Sequence, residues 1–216
     1  NVHMCISKDA LIHPFGSGLY PEEPDLTTHR EIGAELSKYN QYFVGTCPES
    51  IGYTVNGGAS DWTYGDAGLI SFAPEVGSSS QGFWPPEDDV IELCIDQVHP
   101  NKIFSFVAGP DIIMDSYVLS HEVMIPGETV ELDVVIQNRG LSNSEADIDI
   151  SINALNEFLS IETGSYTMSE MDARDSDDFS ISMEISDNAP IGSASGVILS
   201  MDCENSFNRI DTIEFV

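Results

Sequence analysis

Between residue 128 and the C-terminus, five stretches alternate apolar and polar residues with a period of two: ETVELDVVIQN, EADIDISINA, DFSISMEIS, SGVILSMD and RIDTIEFV. Successive side chains of a strand point to opposite faces, so this pattern demands sheets with one buried and one wet face. In the first stretch Val130, Leu132, Val134 and Ile136 share the buried face; in the second Ala146, Ile148, Ile150 and Ile152 do. Pro-Gly, Asn-Arg-Gly and Asn-Ala-Pro sequences punctuate the runs, and each favours a turn. About seven strands in about 105 residues is the pattern of a small β-sandwich. Residues 110–216 are therefore expected to form one all-β domain.

Residues 1–109 read differently. Thr28 followed by Glu31 fits a capping box, and the spacing predicts a helix over THREIGAELSKYNQ. A second helix is expected over PPEDDVIELCIDQV, with proline at its start, acids in its first turn and apolar residues at Val90, Leu93, Cys94 and Val98. Between them AGLISFA is a continuous apolar run, the mark of a strand covered on both faces. NVHMCIS at the start also reads as a buried strand, so the chain is expected to be a processed or truncated piece of a longer protein. Helices mixed with short buried strands predict an α/β fold, with the seam in SFVAGPDII where Gly109-Pro110 ends the last helix.

Charge narrows the partners. The 37 acidic residues outnumber 7 basic ones, for a net charge of −30. The balance argues against nucleic acid and anionic membrane surfaces as partners, because both require clustered Lys and Arg. No apolar run approaches the roughly 20 residues of a membrane span. The acidic tract SEMDARDSDD lacks the ligand spacing of a tight calcium loop and reads as a solvated turn. Cys5, Cys47, Cys94 and Cys203 contain no C-x-x-C pair, which argues against a structural zinc site. One disulfide in the first half and free buried thiols both remain open.

The chemistry concentrates in YTVNGGASDWTYGDAGLISFAPEVG, residues 53–77. Tyr53, the Gly57-Gly58 loop, Asp61-Trp62 and Glu75 resemble the C-terminal half of the zinc carboxypeptidase family of metallopeptidases. In that family a tyrosine precedes a small-residue pair and an Asp-Trp, and the catalytic glutamate follows the tyrosine by 22 positions, as Glu75 follows Tyr53 here. Upstream, NVHMCISKDALIHPFG resembles the family's strand that ends in the third zinc ligand, here His3, and runs on to a turn at His13-Pro14-Phe15-Gly16. The Gly-Phe of GFWPPEDDVIEL fits the approach to the family's last helix. The resemblance covers about residues 1–108. Beyond it, IPGETVELDVVIQNRG looks like the opening of the immunoglobulin-like accessory modules of exported bacterial enzymes.

The resemblance implies an incomplete zinc-carboxypeptidase mixed-sheet domain followed by an immunoglobulin-like sandwich. It implies zinc as cofactor, with His3 as one ligand and Glu75 as general base. Tyr53 and Gly58 would contact the peptide substrate, and Ser60 would floor the specificity pocket. A serine in place of an acid there implies neutral rather than basic C-terminal residues. Asp61, Trp62, Tyr64 and His13 are expected to be structural, the Asp bracing the loop and the Trp62 indole packing beneath it. His29, His99 and His121 have no assigned role. The family draws two further ligands from H-x-x-E, and no histidine of this chain is followed by Glu at that spacing. Those ligands are expected upstream of Asn1, and the polypeptide alone is expected to be inactive.

The implied function is a secreted, cell-surface or periplasmic zinc metallocarboxypeptidase that removes C-terminal amino acids from peptides, with the sandwich as a spacer. Two alternatives stand beside it: an amidohydrolase on the same scaffold acting on peptidoglycan stem peptides or acyl-amino acids, and a non-enzymatic binding or structural protein that keeps the fold. Without its first strands, the mixed sheet would carry an open edge and an uncovered apolar face. Self-association, or dependence on the missing N-terminal half, is expected.

Overall fold

A computed structural model describes residues 9–121 and 124–215. The strand expected over residues 1–7, with His3 and Cys5, lies outside the described residues. Three sheets dominate and helices are few. The chain forms two compact units divided between Phe104 and Ser105.

The first unit is built on a three-stranded sheet. Its central strand β1 (Ala10–Ile12) is buried throughout. Helix α1 (Asp25–Leu36) follows, then β2 (Phe43–Gly45), which pairs parallel to β1. Gly33 is what allows α1 to lie so close to β2, since a Cβ there would stand 2.5 Å from Val44 Cγ1. Short helices α2 (Cys47–Ser50) and α3 (Ala59–Gly65) precede β3 (Ala73–Glu75), which pairs antiparallel to the other edge of β1. Helices α4 (Glu87–Asp96) and α5 (Val98–Val107) complete the helical set, and the division between units falls within α5.

Two local expectations need correcting. Thr28 does not cap α1: the helix starts at Asp25 behind Pro24, and the Thr28 hydroxyl donates to the Pro24 carbonyl at 3.2 Å within the first turns. The capping box belongs to α2, where the Thr46 N–H donates to Glu49 Oε2 at 2.8 Å. AGLISFA is not a strand covered on both faces. Only Ala73–Glu75 joins the ladder, because β1 offers three partners and then turns away at His13, which leaves Leu69 58% exposed.

The second unit is a sandwich. One sheet holds β4 (Ile112–Leu119), β5 (Thr129–Asn138), β7 (Leu159–Ile161) and β9 (Ser176–Ile185), in the order β4-β5-β9-β7. The other holds β6 (Ile148–Ala154), β8 (Ser165–Met168), β10 (Ser195–Asp202) and β11 (Arg209–Phe215), in the order β11-β10-β6-β8. Every pairing is antiparallel. Val130, Leu132, Val134 and Ile136 share one core with Ile148, Ile150, Ile152, Val197, Leu199 and Met201. Each such side chain taken from water stabilises by about 1.5–3 kcal/mol, and this core is what the period-two pattern anticipated.

Candidate functional site

The first unit contains a cleft of about 860 Å³, within the range of small-molecule sites. Its floor comes from β1 and α2, through Ile12 and Cys47. The loop and helix after α2 supply Ile51, Tyr53, Val55, Gly57, Gly58, Ser60, Asp61 and Thr63; the approach to β3 supplies Ile70, Ser71, Phe72 and Ala73. Glu75 closes the strand and the cleft together. Tyr53, Gly58, Ser60 and Glu75 thus line one cavity.

The ladder explains why Glu75 sits where it does. Glu75 pairs with Ala10 at the heart of the sheet, so its side chain is carried into the interior and only 7% remains exposed. Its Oε2 finds no hydrogen-bond partner among the described residues. Removal from water disfavours the carboxylate, and this alone raises its pKa from 4.5 to about 7. A carboxyl group so poised can accept and return a proton near neutrality.

Asp61 sets the shape of the loop. Both its carboxylate oxygens accept from the Gly16 N–H, at 2.9 and 3.0 Å, tying α3 to the turn after β1. Gly16 is obligatory: a Cβ would stand 2.7 Å from the Val55 carbonyl oxygen. Trp62, expected beneath the loop, is instead 64% exposed, because α3 buries none of its residues and turns the indole outward. His13 is buried with Nδ1 2.7 Å from the Pro14 carbonyl oxygen, a structural setting. Tyr64 donates to Asp25 at 2.8 Å, which with burial raises its pKa to about 12.

No family model matches the chain, and no curated protein matches it. Solved structures align with about half of it. Spo0M, a sporulation control protein from Bacillus subtilis, shares 16% identity at a TM-score of 0.33 over 49% of this chain and 47% of its own. A FixG-related protein from Vibrio parahaemolyticus shares 11% at 0.34, over 49% and 94%. A conjugative transposon lipoprotein from Bacteroides eggerthii shares 14% at 0.31, again over 49% and 94%. Likenesses this distant assign no function.

Two features of the first unit were not foreseen. Cys47 lines the cleft as a free thiol, 7% exposed, and burial pushes its pKa up, aided by the Asp61 and Glu75 carboxylates. A single cysteine without a spaced partner carries no signal in sequence. His29 is fully buried against Tyr64 and the cleft-lining Phe72, and burial pushes its pKa down. Cys94 and Cys203 are also free thiols.

A catalytic zinc needs three protein ligands and one open position. The described residues contain no group of three His, Cys, Asp or Glu side chains able to hold a metal ion. His3 lies outside them. The described residues therefore do not fit a zinc centre by themselves.

Proposed function

We propose that the chain carries the substrate-pocket half of a zinc-dependent metallocarboxypeptidase, followed by an immunoglobulin-like accessory domain. One observation carries this reading: Glu75 is a buried carboxyl group with a free oxygen in a cleft that also holds Tyr53, Gly58 and Ser60. These are the positions assigned from the resemblance. The missing metal ligands are proposed to come from sequence preceding Asn1, with His3 among the set.

On this reading Glu75 takes a proton from the attacking water and delivers it to the leaving amine, a transfer suited to a group that titrates at about 7. Tyr53, 48% exposed at the cleft, closes over the substrate and hydrogen-bonds its terminal residue. Asp61 acts through the backbone, holding the Gly16 turn and the α3 start in register.

The sandwich reading is supported by sheet order. With β8 set aside as an extra strand, the order β4-β5-β9-β7 matches the first-second-fifth-fourth sheet of the seven-strand immunoglobulin pattern, and β11-β10-β6 matches its seventh-sixth-third sheet. We assign the sandwich a spacing role in an exported protein. No helix of the described residues is long and apolar enough to cross a membrane.

The full-length protein is expected to release amino acids from dipeptides with free C-termini and to spare blocked ones. A zinc chelator should abolish release, and Glu75→Gln should lower kcat by at least about 10²-fold. Release from blocked and free substrates alike would contradict the proposal. So would full activity in the variant.

A further inference from the structure

A second cavity, of about 210 Å³, lies on the other face of the three-stranded sheet. Alternation along the strands puts it there. Ala10 and Ile12 of β1 pack into a small core with Cys47, while Leu11 between them lines this cavity. On β3, Ala73 and Glu75 line the cleft and Pro74 lines the cavity. Leu36 from α1 and Phe104 from α5 supply the facing wall. The Phe72 and Phe104 rings, with centroids 5.9 Å apart, border both spaces.

Charge and hydrogen bonding in the lining select a ligand. Of the lining residues only Tyr42 can ionise, and burial, with the Asp9 and Asp96 carboxylates nearby, raises its pKa above 10. A charged guest would lose hydration there and meet no counter-charge. Tyr42 is 7% exposed, and its Oη accepts from the Gly77 N–H at 3.0 Å and from Gln97 Nε2 at 3.2 Å. The phenol proton itself has no acceptor among the described residues. Turning the Gln97 amide over would let the phenol donate to it, and would leave both amide N–H groups unspent instead. Either arrangement holds a spare donor at the cavity wall. A dry cavity of about 150 Å³ is enough to take benzene, so this one has room for a ring and a small substituent.

We propose that this cavity is a binding site for a small uncharged molecule with a ring body and one hydrogen-bond acceptor, of the class of an aryl ketone. The ring sits among Leu11, Leu36, Phe72 and Phe104, and the acceptor takes the spare proton at the Tyr42–Gln97 pair. Nothing in this assignment depends on the carboxypeptidase reading, because β3 carries Glu75 on the opposite face of the sheet.

The 216-residue chain, with isotopically labelled leucine and isoleucine methyls, would be titrated by NMR with four probes. Acetophenone is the neutral ring with an acceptor, and isopropylbenzene puts a methyl group where its oxygen stood. Benzoate and benzylammonium carry the two charges. Acetophenone should shift the Leu11 and Leu36 methyls saturably, ahead of Ile12 and Ile51 in the cleft. Benzoate and benzylammonium should bind at least about tenfold more weakly. Leu36→Phe, which fills the cavity, should weaken acetophenone by about tenfold or more. Removing both donors, with Tyr42→Phe and Gln97→Leu together, should lower the acetophenone-to-isopropylbenzene affinity ratio at least about threefold. If that double variant loses its dispersed methyl spectrum, Leu36→Phe and the ranking of the four probes decide. Shifts confined to Ile12 and Ile51, or none that saturate, would overturn the proposal. So would charged probes that bind as well as acetophenone, or an unchanged ratio in a folded double variant.

Discussion

Glu75 shows how a fold can place a charge where solvent would not. Its backbone is held by the β1 ladder, so most of the side chain stays out of water, and burial lifts its pKa from 4.5 to about 7. Because the folded pKa lies above the unfolded one, this group's contribution to stability is fully present below about pH 4.5 and is lost as pH rises through 7. Glu75→Gln should therefore stabilise the first unit at pH 8 by on the order of 1–3 kcal/mol, and the gain should vanish near pH 4. Thermal melts at the two pH values decide it: equal melting temperatures at pH 8 would contradict the buried-charge account. In the sequence Glu75 was legible only through its 22-residue spacing from Tyr53, since an apolar strand ending in glutamate is ordinarily a solvated end. Trp62 was misread because spacing fixes which residues share a helix, not which face that helix buries.

At the scale of elements, the sandwich strands were readable and the small helices were not. A strand with one buried face must alternate, and β5 does so from Val130 to Ile136 with each inward residue at most 1% exposed. Two Thr-x-x-Glu boxes occur in the first unit, and only tertiary context selects Thr46-Glu49 over Thr28-Glu31 as the cap. The sandwich also contains a buried ionic junction that no periodicity reveals. Asp111, fully buried at the start of the unit, accepts from Arg139 Nε at 2.9 Å and Nη2 at 2.7 Å, and from Arg209. Arg209 in turn lies over the Phe106 ring, 5.0 Å from its centroid. Asp111→Ala should cost about 3–5 kcal/mol by leaving two guanidinium groups without their shared carboxylate. Urea unfolding followed by far-ultraviolet circular dichroism should show the sandwich transition at lower denaturant. Fluorescence of the two tryptophans, both in the first unit, should not move.

For the whole molecule, charge and exposed apolar surface oppose each other. The net charge of −30 repels like copies, while α4 and the segment before it expose Trp84 (93%), Ile91 (68%) and Ile95 (64%). None of the α4 residues is buried, although the helix's position and acidic first turn were read correctly from PPEDDVIELCIDQV. We propose that copies of the chain associate through this face once their mutual repulsion is screened. Screening shortens the reach of the repulsion from about 10 Å at 0.1 M salt to about 3 Å at 1 M. Sedimentation velocity should then detect monomers at low salt and larger species at high salt. A monomer across the whole range would contradict the proposal. The most direct test of the central claim is the titration of the Glu75 carboxyl carbon by NMR in the isotopically labelled chain. An inflection close to pH 7, absent in Glu75→Gln, is the result predicted here; an inflection near pH 4 would mean that the cleft leaves Glu75 an ordinary, solvated carboxylate with no special capacity to carry a proton.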